Sequence, residues 1–189
     1  NSSQVIENTL AQRNDVGICA HDPAHPKLEA RRILTDVLVA VVGPAHPFAR
    51  RRSIALCELA GQPLILREQG SSPRRTIDEI LARRGIHPCV VVESASTPII
   101  KRFAATGAGI GILSKRVVAK ELEDGLLRLV PFRDAEVEYH FYLIRHRDRW
   151  ASRSVQAFIE MTQLFQQKPP PPPPRRRNRR PVDLTPASA

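Results

Sequence analysis

Six hydroxyl-bearing residues, set in three pairs, are the groups in this 189-residue chain best suited to hold a small polar molecule: Ser2 and Ser3, Ser71 and Ser72, Ser96 and Thr97. Each pair stands where a segment of helical periodicity begins. The central case is Arg67-Glu68-Gln69-Gly70-Ser71-Ser72-Pro73-Arg74. The apolar run 63–66 before it reads as a buried strand, Ser72 as an N-cap and Pro73 as the first helical residue. Ile77, Ile80 and Leu81 then share one face, and Gly85 ends the helix. The same device recurs after the strand 90–93, with Thr97 as the cap, Pro98 next and the helix 99–106 closed by Gly107. At the front, Asn1-Ser2-Ser3 precedes Val5, Ile6, Thr9 and Leu10 at helical spacing. Helix starts present unpaired N–H groups and a partial positive charge, and hydroxyls add donors that rotate to fit. The chemistry implied is capture of a carboxylate or phosphate.

Catalysis and metal binding find little support. No histidine is placed by sequence to activate a serine, and no paired carboxylates appear, so the chain is not expected to be an enzyme. His21 and His25 are four apart, but Pro23 and Pro26 exclude the helix that would let them share a metal; an exposed loop is the reading. Cys19, Cys57 and Cys89 lie far apart, with no CxxC spacing, and read as reduced thiols of a cytoplasmic protein. Gly107-Ala108-Gly109-Ile110-Gly111 invites a dinucleotide reading, which fails on order, because these glycines close a helix and open a strand. A tight return with close backbone packing accounts for them better. No cofactor and no metal are expected.

The elements that must position the serines follow from pattern. Residues 15–19 form a short strand, 27–34 an irregular polar strand, and 35–42, the most apolar run, a central strand. Residues 43–49 break it, the solvated run Arg50-Arg51-Arg52 follows, and Ser53 starts a one-turn helix over 54–59. Beyond the glycines, 114–123 reads as a helix, 126–130 and 138–145 as strands. Ser152 or Ser154 caps a last helix bearing Val155, Phe158, Ile159, Thr162 and Phe165. Strand–helix alternation of this kind is α/β, and strand C-termini and helix N-termini then share one edge, where ligands bind.

The core is aliphatic, with 42% hydrophobic but only 5% aromatic residues. No apolar run approaches the roughly 18 residues of a membrane span. The formal charge of +10 is unevenly spread: from Lys168 onward one Lys, five Arg and one Asp supply about half of it. Six prolines follow Lys168, and residues 168–189 read as a disordered Pro/Arg-rich tail. The body lacks a basic helix with interleaved aromatics, so these residues are not expected to bind nucleic acid on their own.

Five segments in order resemble the effector-binding domain of LysR-type transcriptional regulators. They are Leu10 with Asp15-Val16-Gly17-Ile18; Leu38-Val39-Ala40-Val41-Val42 running into His46-Pro47-Phe48-Ala49; Leu59-Ala60-Gly61-Gln62-Pro63-Leu64-Ile65; Arg67 to Arg74; and Ile100 to Ser114. Pro73 stands where the family often has Thr. The resemblance covers about residues 1–167. It implies a two-subdomain, periplasmic-binding-protein-like (type 2) α/β fold that begins after the family's winged helix-turn-helix and the first strand and helix of subdomain I. Subdomain I would comprise residues 1–43 plus 146–167 and be incomplete; subdomain II would comprise 44–145, with crossings at 43–47 and near 142–145. The implied function is sensing of an anionic metabolite between the subdomains, by Ser2 or Ser3 from one side and Ser71, Ser72, Ser96 and Thr97 from the other. The implied partners are a second copy of the chain and, through the absent helix-turn-helix, DNA; no membrane is implied. A solute-binding protein of the periplasmic type, sharing the two-lobed architecture, is the alternative.

Overall fold

The computed structural model describes residues 1–167, with side chains as far as Thr162. The tail expected over 168–189 lies outside the described residues, as does the side chain of Phe165. Five helices and seven strands follow one another as α1 (Ser2–Leu10), β1 (Gly17–Cys19), β2 (Leu28–Val42), β3 (Pro63–Arg67), α2 (Ser72–Arg83), β4 (Cys89–Ser94), α3 (Thr97–Ala105), β5 (Ile110–Ser114), α4 (Ala119–Glu123), β6 (Arg128–Val130), β7 (Val137–His146) and α5 (Arg153–Gln167) among the described residues. The strands form one mixed sheet in the order β1-β7-β2-β5-β3-β4, with β6 added to β2. β3 lies parallel to both β4 and β5, as strand–helix–strand units require.

Two long antiparallel strands carry the chain from one end of the sheet to the other. β2 pairs with β7 from Leu28↔His146 to Leu38↔Val137, with a bulge between Arg32 and Leu34. Its last residues pair with β5 on one side and β6 on the other. The two separate strands expected over 27–34 and 35–42 are therefore one. Its first half is mostly exposed and its second almost wholly buried, so apolar pattern alone marked only the second.

Three clusters make the core. The largest joins Leu38, Ala40 and Val42 of β2 to Ile77 and Leu81 of α2 and Leu64 and Leu66 of β3. A second, on the other face, sets Val39 and Val41 against Ile65, Ile100, Ala104 and Leu113. A small third cluster, Cys19, Leu28 and Ile144, seats α1 through Val5, Ile6 and Leu10. The glycine run acts as close packing demands: a Cβ at Gly109 would lie 2.4 Å from the Pro63 carbonyl oxygen, and Gly107 takes φ +85°.

Several boundaries differ from expectation. α2 is capped by Ser71, not Ser72, because Gly70 (φ +82°) turns the chain one residue earlier, and Pro73 falls at the second helical position, where its missing N–H also costs nothing. α3 likewise starts after Ser96, with Thr97 already helical. Ser114 ends β5 rather than opening a helix, and α4 shrinks to a single turn. The segments 47–50 and 56–59 are short 3₁₀ turns; the first is capped by His46, whose Nδ1 accepts from the Phe48 N–H at 3.1 Å.

Candidate functional site

The starts of α1 and α2 come from opposite ends of the sheet and meet. Ser72 donates its hydroxyl to Ser2 Oγ at 2.9 Å, and the Ala20 N–H donates to the same oxygen at 3.0 Å. Ser3 reaches the Gly70 carbonyl at 3.3 Å. Gly70 is needed here twice over, for its positive φ and because Asn1 and Ser3 lie within 4 Å of where a Cβ would stand. Asn1 caps α1 by accepting from the Gln4 N–H at 3.1 Å.

His21 completes this contact, with Nδ1 2.9 Å from Ser72 Oγ. His21, Ser72 and Ser2 thus form one hydrogen-bonded chain, whose donor order follows the His21 tautomer. Burial, reinforced by the nearby Arg75 cation, lowers the His21 pKa from its ordinary value, and the ring stays neutral at pH 7. His21 is thus half-buried and bonded, not the exposed loop residue that the sequence pointed to. The sequence did hold a signal: His21 follows the end of β1, and strand ends share the edge on which the serines were sought. Cys19 sits beneath, its thiol donating to the His21 carbonyl at 3.2 Å, and burial raises its pKa.

Ser71 and Ser72 are both buried, at 4% and 2% exposure. Ser71 turns its hydroxyl back to the Glu68 carbonyl at 2.8 Å and makes no side-chain cap, which leaves the first N–H groups of α2 without a side-chain partner from it. Ser96 and Thr97 lie one strand over, at the end of β4. Thr97 accepts from Arg67 at 3.3 Å, and the Ser96 N–H donates to Ser94 at 3.1 Å. No hydrogen bond among the described residues joins Ser96 or Thr97 to Ser2, Ser3, Ser71 or Ser72. The structure therefore gathers four of the six candidates and keeps the third pair apart.

Arginines bind the two groups together. Arg74 donates to Asp78 (2.8 Å), Glu93 (2.6 Å) and the Arg67 carbonyl (3.0 Å), while Arg67 pairs with Glu68 at 2.8 Å. Its Arg74 partner holds the Glu93 carboxyl below the ordinary range.

Beside His21 opens a cavity of about 290 Å³, between the turn after β1, the flank of α2 and β7. Tyr139, His140 and Tyr142 line it, with Asp22, Glu79, Glu136 and Glu138 against a single Arg83. Glu79 is matched by Arg75 and Arg83. None of the six hydroxyl residues lines the cavity; Ala20 and His21 join it to the Ser2–Ser72 contact. The cavity wall thus favours hydrogen-bond donors, whereas the helix starts beyond His21 favour an anion. Tyr139 is buried against Asp36, and its phenol is pushed up to about 12, by burial first and the Asp36 charge second. Among the described residues no cluster of His, Cys, Asp or Glu could hold a metal, and no helix is long and apolar enough to cross a membrane.

Relatives of known kind carry this arrangement further. The transcriptional activator CmpR of Synechocystis is 28% identical over 160 residues, which are 85% of this chain and 53% of that protein. The regulator CbbR of Xanthobacter flavus is 30% identical over 167 residues, 86% of this chain and 50% of that protein. The chain spans about half the length of the curated relatives it matches. Among solved structures, the regulatory domain of Synechocystis CcmR in complex with 2-PG superposes with a TM-score of 0.80 at 23% identity, over 88% of this chain and 80% of that one. The effector-binding domain of QuiR in complex with shikimate gives 0.79 at 21% identity, over 88% and 78%. The fold is that of these domains, the type 2 periplasmic-binding-protein-like α/β fold. The model of the LysR substrate binding domain matches residues 1–165, and the chain belongs to that family.

Proposed function

We propose that this chain is the ligand-sensing portion of a LysR-type transcriptional regulator, which closes on a small metabolite and thereby modulates transcription. One observation carries the reading: two helix starts from opposite ends of the sheet meet at Ser2 and Ser72, beside a cavity lined by His21 and β7. A ligand entering there touches both ends at once and favours one relative arrangement over another, which is what a sensor requires. Ser2, Ser3, Ser71 and Ser72 supply hydroxyls from the two sides, Ser3 and Ser71 on releasing the Gly70 and Glu68 carbonyls. Ser96 and Thr97 take part through Arg67 or by a ligand long enough to reach the end of β4.

The effector is a hydroxylated organic acid. Its anionic group lies at the helix starts, and its hydroxyls donate to the carboxylates of the cavity wall. Relatives with structures in complex with 2-PG and with shikimate support a small polar ligand. The relatives are regulators, which supports this reading over a solute-binding protein of the periplasmic type and over an enzyme. The protein acts in the cytoplasm as a homo-oligomer, and its relatives are HTH-type regulators, which supports DNA as a partner of the whole protein.

The division into subdomains, 1–43 plus 146–167 and 44–145, belongs to the same proposal. The long β2–β7 ladder, from Leu28↔His146 to Leu38↔Val137, supports a pair of strands that link the two parts.

Calorimetric titration of hydroxylated carboxylic and phosphoric acids tests the site. Wild type binds one of them, and Ser2→Ala and Ser72→Ala each weaken it by about tenfold, the loss of one hydrogen bond to a charged group. Undiminished affinity in both variants for an acid that wild type binds removes the effector from these helix starts.

A further inference from the structure

The sheet splits at one point, and the split makes a second cavity. On one side of β2, Leu38 pairs with Val137 of β7 and Ala40 pairs with Val130 of β6. Val39 stands between them, and the residues joining β6 to β7, 131–136, leave the sheet. They are held away from it by a fixed set of bonds. The Ile54 N–H donates to the Pro131 carbonyl (3.0 Å), the Arg133 N–H to the Ile54 carbonyl (2.9 Å), the Leu56 N–H to the Asp134 carboxylate (3.0 Å), and Arg84 to the Asp134 carbonyl (2.8 Å). The crevice so formed, about 480 Å³, is pre-formed, in the size range of small-molecule sites.

Its chemistry differs from that of the cavity beside His21. The floor is apolar, from Val37, Val39, Leu129 and Phe132. The rim carries Lys115 and Arg133 against Glu136. Arg133 shares its charge with Glu58 at 2.8 Å, but the Lys115 ammonium has no ion pair or hydrogen bond among the described residues. We propose that this crevice is a second ligand site, which takes an apolar organic anion: a ring or short alkyl chain on the floor, with a carboxylate or sulfonate at Lys115. Charge complementarity sets the orientation, and desolvation of the floor supplies the affinity. Glu136 borders both cavities, so an occupant of the crevice lies against the start of the strand that floors the other.

The probe for this site is 1-anilinonaphthalene-8-sulfonate, an apolar ring system with one sulfonate, titrated into the 189-residue chain and followed by fluorescence. The expected result is saturable binding of one dye per chain, weakened about tenfold by the exposed charge reversal Lys115→Glu, which removes an attraction and adds a repulsion. Ala135→Leu, which fills the crevice, should weaken it further, and circular dichroism melting reports whether that variant folds. Arg102→Glu, beside the separate apolar groove of α3 lined by Pro98, Ala105 and Leu126, should leave binding unchanged. Absence of saturable binding, or binding insensitive to Lys115→Glu, overturns the proposal. So does binding weakened by Arg102→Glu alone, which would put the dye on α3.

Discussion

The guanidinium of Arg74 lies 2.6 Å from the Glu93 carboxylate and so ties the first turn of α2 to the end of β4. Arg74 is only 7% exposed, and it also donates to Asp78 and the Arg67 carbonyl. It holds the Ser71–Ser72 turn in place against the neighbouring strand. Arg74→Ala should cost about 1.5–3 kcal/mol, the range of hydrogen bonds to charged groups. Arg74→Lys should recover little of it, because an ammonium cannot reproduce the planar fork. Urea denaturation of the three proteins checks both, and a lysine variant as stable as wild type would show that charge alone suffices.

Ser114 donates to Asp36 in the buried zone where β2, β5 and β7 run together. Ser114→Ala removes one donor from a buried carboxylate that keeps Tyr139 and Arg116 nearby, so it should destabilise the chain by about 1–3 kcal/mol. Tyr139 faces the same carboxylate. In a Tyr142→Phe background, phenolate absorbance should rise near pH 12, not near the ordinary value of about 10. A rise near 10 would mean that the phenol is not buried against Asp36.

His21 makes stability depend on pH. Its folded-state pKa lies below the unfolded value of about 6.5, so the unfolded chain binds the extra proton first. The contribution is present in full above about pH 6.5 and is lost as pH falls from there through the folded pKa. His46, also lowered by burial, acts in the same sense. His21→Gln should flatten part of the fall in melting temperature between pH 7 and pH 5, and His21→Gln with His46→Gln should flatten more. An unchanged profile in the double variant would place the proton uptake elsewhere.

The thiols should divide by burial. Cys57 and Cys89 are exposed, whereas Cys19 is buried with its pKa raised. At pH 8 a disulfide reagent should modify two thiols in the native chain and a third only after denaturant is added. Three rapid reactions would mean that the turn after β1 opens readily.

The strand–helix–strand order, the glycine return and the helix starts were legible because each rests on local signals: an apolar run, a hydroxyl, a proline, a stop glycine. The contacts that make a site were not. His21 meets Ser72 across 51 residues, and Asp36 meets Ser114 and Tyr139 only through strand register. Nothing local encodes either meeting. The first half of β2 was hard to see for a different reason. It exposes both faces, so Glu29, Arg31 and Arg32 carry no alternation, and only the ladder to β7 makes them a strand. Ser71 and Ser72 were separated by one residue from their true roles, because a capping preference does not say where Gly70 turns the chain.

The paired run of β2 and β7 has a mechanical consequence. Two antiparallel strands locked by a ladder form a torsion bar. They can twist along their length, but a slide of one residue would turn every side chain to the wrong face and strand Leu38, Val137 and Ile144 in water. The bulge between Arg32 and Leu34 interrupts the ladder and bends the strand there. The two ends of the sheet are thus joined by a ladder that resists slipping and is interrupted, among the described residues, only at that bulge.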